Sequence, residues 1–65
     1  TGYSLKQYVL RRRIGEAQMR LVNSLDSVQT IAEAVGFEDA SYFSRIFSKY
    51  IGLTPTEYRR FRTGR

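Results

Sequence analysis

Sixty-five residues with eleven Lys and Arg against six carboxylates, and with neither cysteine nor histidine, describe one small basic domain of net charge +5. The absent Cys and His exclude disulfide frameworks and Cys/His zinc sites, so four Phe and five Tyr must supply much of a core that covers only about 60% of the unfolded surface. No apolar run approaches the ~18 residues of a membrane span and no secretory signal opens the chain, so the cytoplasm is the expected compartment; nine Arg to two Lys favour a polyanionic partner.

The first predicted helix runs from Leu5 to about Val22, with Ser4 as N-cap and Gln7 three positions on completing a capping box. Its apolar residues make two stripes. At about 100° per residue, Leu10, Ile14, Ala17 and Leu21 fall on one side and Leu5, Tyr8, Val9 and Met19 on nearly the opposite side. A helix with two apolar faces expects two packing partners, and the remaining chain supplies one. Gly15 costs about 1 kcal/mol against Ala inside a helix, so it either weakens this one or permits a close contact. Arg11, Arg12 and Arg13 lie about 100° apart around the axis and cannot form one patch.

The periodicity breaks over Asn23 to Ser27, and Ser27 can cap a second helix, Val28 to Val35, with Val28, Ile31, Ala32 and Val35 as a narrow apolar stripe. Gly36 ends it, and Phe37 follows as a core plug. Asp39 caps a third helix that runs to about Ile51 and stops at Gly52. In it Phe43, Ile46, Phe47 and Tyr50 recur at i, i+3, i+4, i+7, while Ser41, Ser44, Arg45 and Ser48 repeat that spacing displaced by two residues. The displacement sets the second group roughly opposite the first. One face anchors in a core; the other offers hydroxyls and one long bidentate donor.

Thr54-Pro55-Thr56-Glu57 starts a fourth helix with a capping Thr, a proline at the first position and an acid at the third. Tyr58 and Phe61 are expected inward, in a core with Phe37, Phe43, Phe47 and Tyr50. Arg59, Arg60 and Arg62 are expected outward. With Arg65 they form the densest positive region, which is either a solvated tail or an attractor of phosphates. No repeat, low-complexity segment or strand-type alternation is present, so the expected fold class is all-α.

A short helix, a glycine turn and a second helix with opposed faces is the helix-turn-helix arrangement, with Ala32 allowing a close crossing and Gly36 the reversal. The positions Ser27-Val28, Ile31-Ala32, Val35-Gly36-Phe37, Asp39, Ser41-Tyr42-Phe43-Ser44-Arg45, Phe47, Tyr50, Gly52, Thr54-Pro55 and Tyr58-Arg59 together resemble the second helix-turn-helix of the AraC/XylS family of bacterial transcription regulators. Upstream, Gly2, Ser4-Leu5, Tyr8-Val9, Arg13-Ile14, Ala17 and Leu21 are similar to the family's long connecting helix and the glycine turn before it. The resemblance implies a small helical bundle: a connecting segment over residues 1–26, then over 27–65 a homeodomain-like three-helix unit of helix-turn-helix and C-terminal capping helix. It also implies that a first helix-turn-helix unit is missing and that Leu5, Tyr8, Val9 and Met19 pack on it. Arg13 takes a structural role by the same match. In two places the chain departs from the family pattern. Thr30 stands where an acid would close a capping box with Ser27, and Arg20 replaces the first of a paired aliphatic, leaving Leu21 to hold the helix junction.

The expected function is sequence-specific binding of double-stranded DNA, through a recognition helix over about 40–50 in the major groove. Its candidate contacts are Ala40, Ser41, Tyr42, Ser44, Arg45, Ser48 and Lys49, with Ser27 at a helix start that faces a phosphate. Arg45 projects from the middle of the polar face; it can bond guanine O6 and N7 or a phosphate bidentately, or pair with Glu38 or Asp39. Small neighbours let the backbone approach and imply a loose sequence preference. Tyr42, beside Arg45 and Lys49, lies against the sugar-phosphate backbone or lids the core. The alternative function is a protein-interaction half-domain that contacts RNA polymerase or the regulator's own effector domain. Glu16, Asp26, Glu33 and Glu57 show no paired arrangement, and no phosphate-cradling glycine loop is present, so no catalysis, cofactor or metal is expected.

Overall fold

Hydrogen-bonding side chains start all four helices. In the computed structural model, which describes residues 4–64, α1 spans Leu5–Asn23, α2 Val28–Ala34, α3 Ala40–Ile51 and α4 Pro55–Thr63, with no strand among the described residues. Ser4 Oγ accepts from the Gln7 N–H at 3.1 Å while Gln7 Oε1 accepts from the Ser4 N–H at 3.2 Å. Thr54 and Glu57 make the same exchange at 3.1 and 3.0 Å, so both expected capping boxes close. Asp39 caps α3 through the Ser41 N–H at 2.8 Å. Gly2 and Arg65 lie outside the described residues.

The turn between α2 and α3 requires its glycine. Gly36 sits at φ +103°, where its N–H donates to Glu33 O at 3.1 Å and the next N–H, of Phe37, donates to Ala32 O at 2.8 Å. This paired closure satisfies two carbonyls at the end of α2 and turns Phe37 back into the core.

α1 packs against all three other helices. Its stripe of Leu10, Ile14, Ala17 and Leu21 is buried against Ile31, Ala32, Val35, Phe37, Phe43, Phe47 and Tyr58. The aromatic rings form a continuous run through this core, with centroids 5.2 Å apart for Phe37–Phe43, 5.7 Å for Phe43–Phe47 and 5.5 Å for Phe47–Tyr58. Such tilted and edge-on contacts add to the area buried. The Tyr58 hydroxyl, which must find a partner at the core's edge, accepts from Gln18 Nε2 at 3.3 Å.

Most of the second stripe of α1 has no cover among the described residues: Leu5 is 80% exposed, Tyr8 52% and Met19 63%, with Val9 half-buried. Gly15 opens onto the same side, in a groove with Tyr8, Val9, Arg12 and Met19, and a Cβ built there meets nothing within 4 Å. Among the described residues, no contact therefore needs the glycine. Gly15→Ala should raise unfolding stability by about 0.5–1 kcal/mol in a urea titration, through helix propensity alone.

Three sequence expectations change. Phe61, expected in the core, is 76% exposed, and Arg59, expected outward, turns inward. The inward face of α4 is centred on Pro55, Tyr58 and Arg59, and Phe61 lies roughly 110° around the helix from that centre. Tyr50 is only half-buried; it closes the edge of the core beneath the Arg11 guanidinium, 4.9 Å from the ring centre. At the Arg20 departure, Leu21 is fully buried and does hold the junction, while Arg20 bonds Glu16 at 3.0 Å one turn back.

Candidate nucleic-acid interface

α3 is pinned from below by Phe43 and Phe47, both fully buried, with Ile46 and Tyr50 half-buried at their flanks. Its opposite side carries Ser41, Arg45 and Lys49, all exposed and four residues apart, so they form one line along the helix. Ser44 and Ser48 are half-buried beside that line, and Ala40 packs partly on the core at the helix start. No acidic residue lies within Ala40–Ile51. Among the described residues Arg45 makes no ion pair with Glu38 or Asp39, and the Asp39 carboxylate is engaged at the helix cap instead. The Arg45 donors are therefore available to an outside acceptor.

The Tyr42 ring lies 5.9 Å from Phe37 and is half-buried, so one side of it covers the core edge. Its sequence position beside Arg45 still sets its outer edge next to the polar line.

Ser27 is exposed at the start of α2, where its Oγ accepts from the Thr30 N–H at 3.1 Å and donates to Thr30 Oγ1 at 3.0 Å. The threonine hydroxyl pairs with the capping hydroxyl and not with the Ser27 N–H, so no capping box closes here, and no negative charge is added at this helix end. At the other end of α2, Arg13 from α1 lies over the Phe37 ring at 5.8 Å, and its Nε would be 3.0 Å from a Cβ at Gly36. Arg13 is accordingly built into the turn, as its structural reading requires.

The helix-turn-helix domain family profile matches residues 1–60. The chain belongs to the AraC/XylS-type helix-turn-helix family. It is 47% identical to the uncharacterized transcriptional regulatory protein YesN of Bacillus subtilis over 98% of this chain and 18% of that protein. It is 45% identical to the MmsAB operon regulatory protein of Pseudomonas aeruginosa over 91% of this chain and 19% of that protein. Its fold matches the crystal structure of the C-terminal domain of the two-component response regulator YesN from Fusobacterium nucleatum, with a TM-score of 0.86 and 40% identity over 89% of this chain and 56% of that one. The chain spans less than a fifth of the length of the two regulators. As an AraC/XylS-type unit it is a DNA-binding module of transcription regulation, with α2 and α3 as its helix-turn-helix.

One residue near the site escaped the sequence pattern. Arg59 reaches from α4 to three main-chain carbonyls at the α1–α2 junction: Leu21 at 2.9 Å, Ser24 at 3.2 Å and Asp26 at 2.6 Å. Main-chain acceptors carry no residue signature, so periodicity alone gives no sign of this contact. Among the described residues no group of three or more His, Cys, Asp or Glu gathers to hold a metal ion, and no helix is long and apolar enough to cross a membrane.

Proposed function

We propose that this chain is the second DNA-reading half of a bacterial transcription regulator, with α3 entering the major groove of double-stranded DNA. The observation that carries the proposal is the exposed line Ser41, Arg45 and Lys49 on a helix free of acids and anchored by buried aromatics. Arg45 reads a guanine edge, Lys49 meets a phosphate, and Ala40, Ser41, Ser44 and Ser48 allow close approach and supply hydroxyls. Tyr42 flanks the sugar-phosphate backbone. Ser27 and the first amides of α2 face a phosphate on the other side of the groove. Residues 1–26 connect and residues 27–65 read. The stripe of exposed Leu5, Tyr8 and Met19 with half-buried Val9 takes the first helix-turn-helix unit, and the whole regulator works in the cytoplasm.

A half-domain of this kind draws most of its affinity from phosphates. Its binding to a duplex, followed by fluorescence anisotropy, should weaken by roughly 10² between 50 and 200 mM salt if about four phosphates are neutralised. Affinity that ignores salt would contradict the proposal.

A further inference from the structure

α2 is only seven residues long, too short to keep a direction of its own, so whatever holds its ends decides where its first turn points. At its far end the Gly36 turn and Arg13 hold it. At its start the chain runs through Ser24, Leu25 and Asp26, and here Arg59 is the fixed point. From one half-buried guanidinium, Nε donates to Leu21 O in the last turn of α1, and Nη2 donates to Ser24 O and to Asp26 O, immediately before the Ser27 cap. The Leu21 carbonyl is one that helix geometry leaves without a partner, at the negative end of the α1 dipole, so a cation is favoured there. A planar fork spreads its donors over separate nitrogens and so spans the end of α1 and the 24–26 segment together; an ammonium gathers its three donors on one atom and cannot reach both.

We infer that Arg59 is a positioning residue for DNA binding: it ties α4 to the α1–α2 junction and thereby aims Ser27 and the start of α2 at the phosphate backbone. This rests on the DNA-binding reading above. Arg59 touches no DNA itself; it acts through the backbone that it holds.

The test compares Arg59→Lys, Arg59→Ala and Arg45→Ala with the wild-type chain, titrated into one duplex well below each variant's melting temperature. Arg59→Lys should bind about tenfold more weakly while folded, the loss expected for charge-assisted hydrogen bonds. Its salt slope should be smaller by about one, because the phosphate met by α2 is released. Amide hydrogen exchange should quicken over residues 24–30 and not in α3. A residue with only a structural role would lower the melting temperature and leave affinity and salt slope of the folded molecules unchanged, and that result would overturn the inference. So would wild-type binding by Arg59→Lys alongside weak binding by Arg59→Ala, since a lysine can replace a direct phosphate contact. If Arg45→Ala weakens binding and neither Arg59 variant does, only the positioning role falls; if Arg45→Ala also changes nothing, the DNA-binding reading falls with it. Should the Arg59 variants fail to fold, the wild-type nuclear magnetic resonance spectrum decides. The Arg59 Nε proton should exchange more slowly than those of Arg60 and Arg62, and should stay unshifted on duplex addition while Ser27–Thr30 amides shift. Exchange as fast as that of Arg60 would overturn the inference.

Discussion

Phe43→Ala should leave most of the chain unfolded at room temperature. Phe43 is 0% exposed, and its ring touches both Phe37 and Phe47, so its removal opens a cavity at the middle of the aromatic run. Truncations of this kind cost about 3–5 kcal/mol, the loss of transfer energy being increased by a void that neighbours fill only partly. A core in a domain this small supplies about 3–5 kcal/mol in all, and with no cysteine in the sequence no disulfide adds to it. The two magnitudes match, which is why one side chain decides the fold. Circular dichroism at 222 nm against urea should show no native baseline for Phe43→Ala. Phe61→Ala, at an exposed position one turn beyond Tyr58, should shift stability by less than about 0.5 kcal/mol. A cooperative transition near the wild-type midpoint for Phe43→Ala would contradict the packing described.

Arg45→Ala should weaken duplex binding by about 1–3 kcal/mol, the scale of one bidentate base contact, and relax the sequence preference at one base pair. Stability should stay within about 0.5 kcal/mol of wild type, because the side chain is exposed and bonds neither Glu38 nor Asp39. Lys49→Ala supplies the contrast: losing a phosphate contact lowers affinity for all sequences alike and reduces the salt slope by about one. Anisotropy titrations against a preferred duplex and a scrambled one separate the two outcomes. Equal losses on both duplexes for Arg45→Ala would show that Arg45 meets phosphate rather than a base.

Features set by neighbours in sequence are legible in the sequence itself. Ser4 with Gln7 and Thr54 with Glu57 are spaced for capping boxes by helix geometry itself, and both close. The split of α3 into a Phe43–Phe47 side and a Ser41–Arg45 side follows from one angle per residue, as do the two stripes of α1, one buried and one mostly exposed. What the pattern missed depends on distant chain. Whether Tyr58 pairs with Phe61 or with Arg59 at the inner face of α4 is decided by where the α1–α2 junction presents its carbonyls, 33 to 38 residues away in sequence. The alternatives for Arg45 were open for a related reason. Asp39 lies six positions earlier, outside the three- or four-residue reach of a helical pair, and its carboxylate is taken by the Ser41 amide. The missing capping box at Ser27 is implied by the resemblance alone; the hydroxyl pairing of Ser27 with Thr30 is a matter of rotamers.

The most direct measurement is a titration of the isotope-labelled chain with a DNA duplex, followed through its amide and arginine Nε resonances. Shifts should concentrate on Ala40 to Lys49, on the Arg45 Nε and on the start of α2 at Ser27, while Tyr8, Met19 and Phe61 stay in place. Shifts confined to the exposed α1 stripe or to Arg60 and Arg62, with α3 unmoved, would contradict a DNA-reading α3.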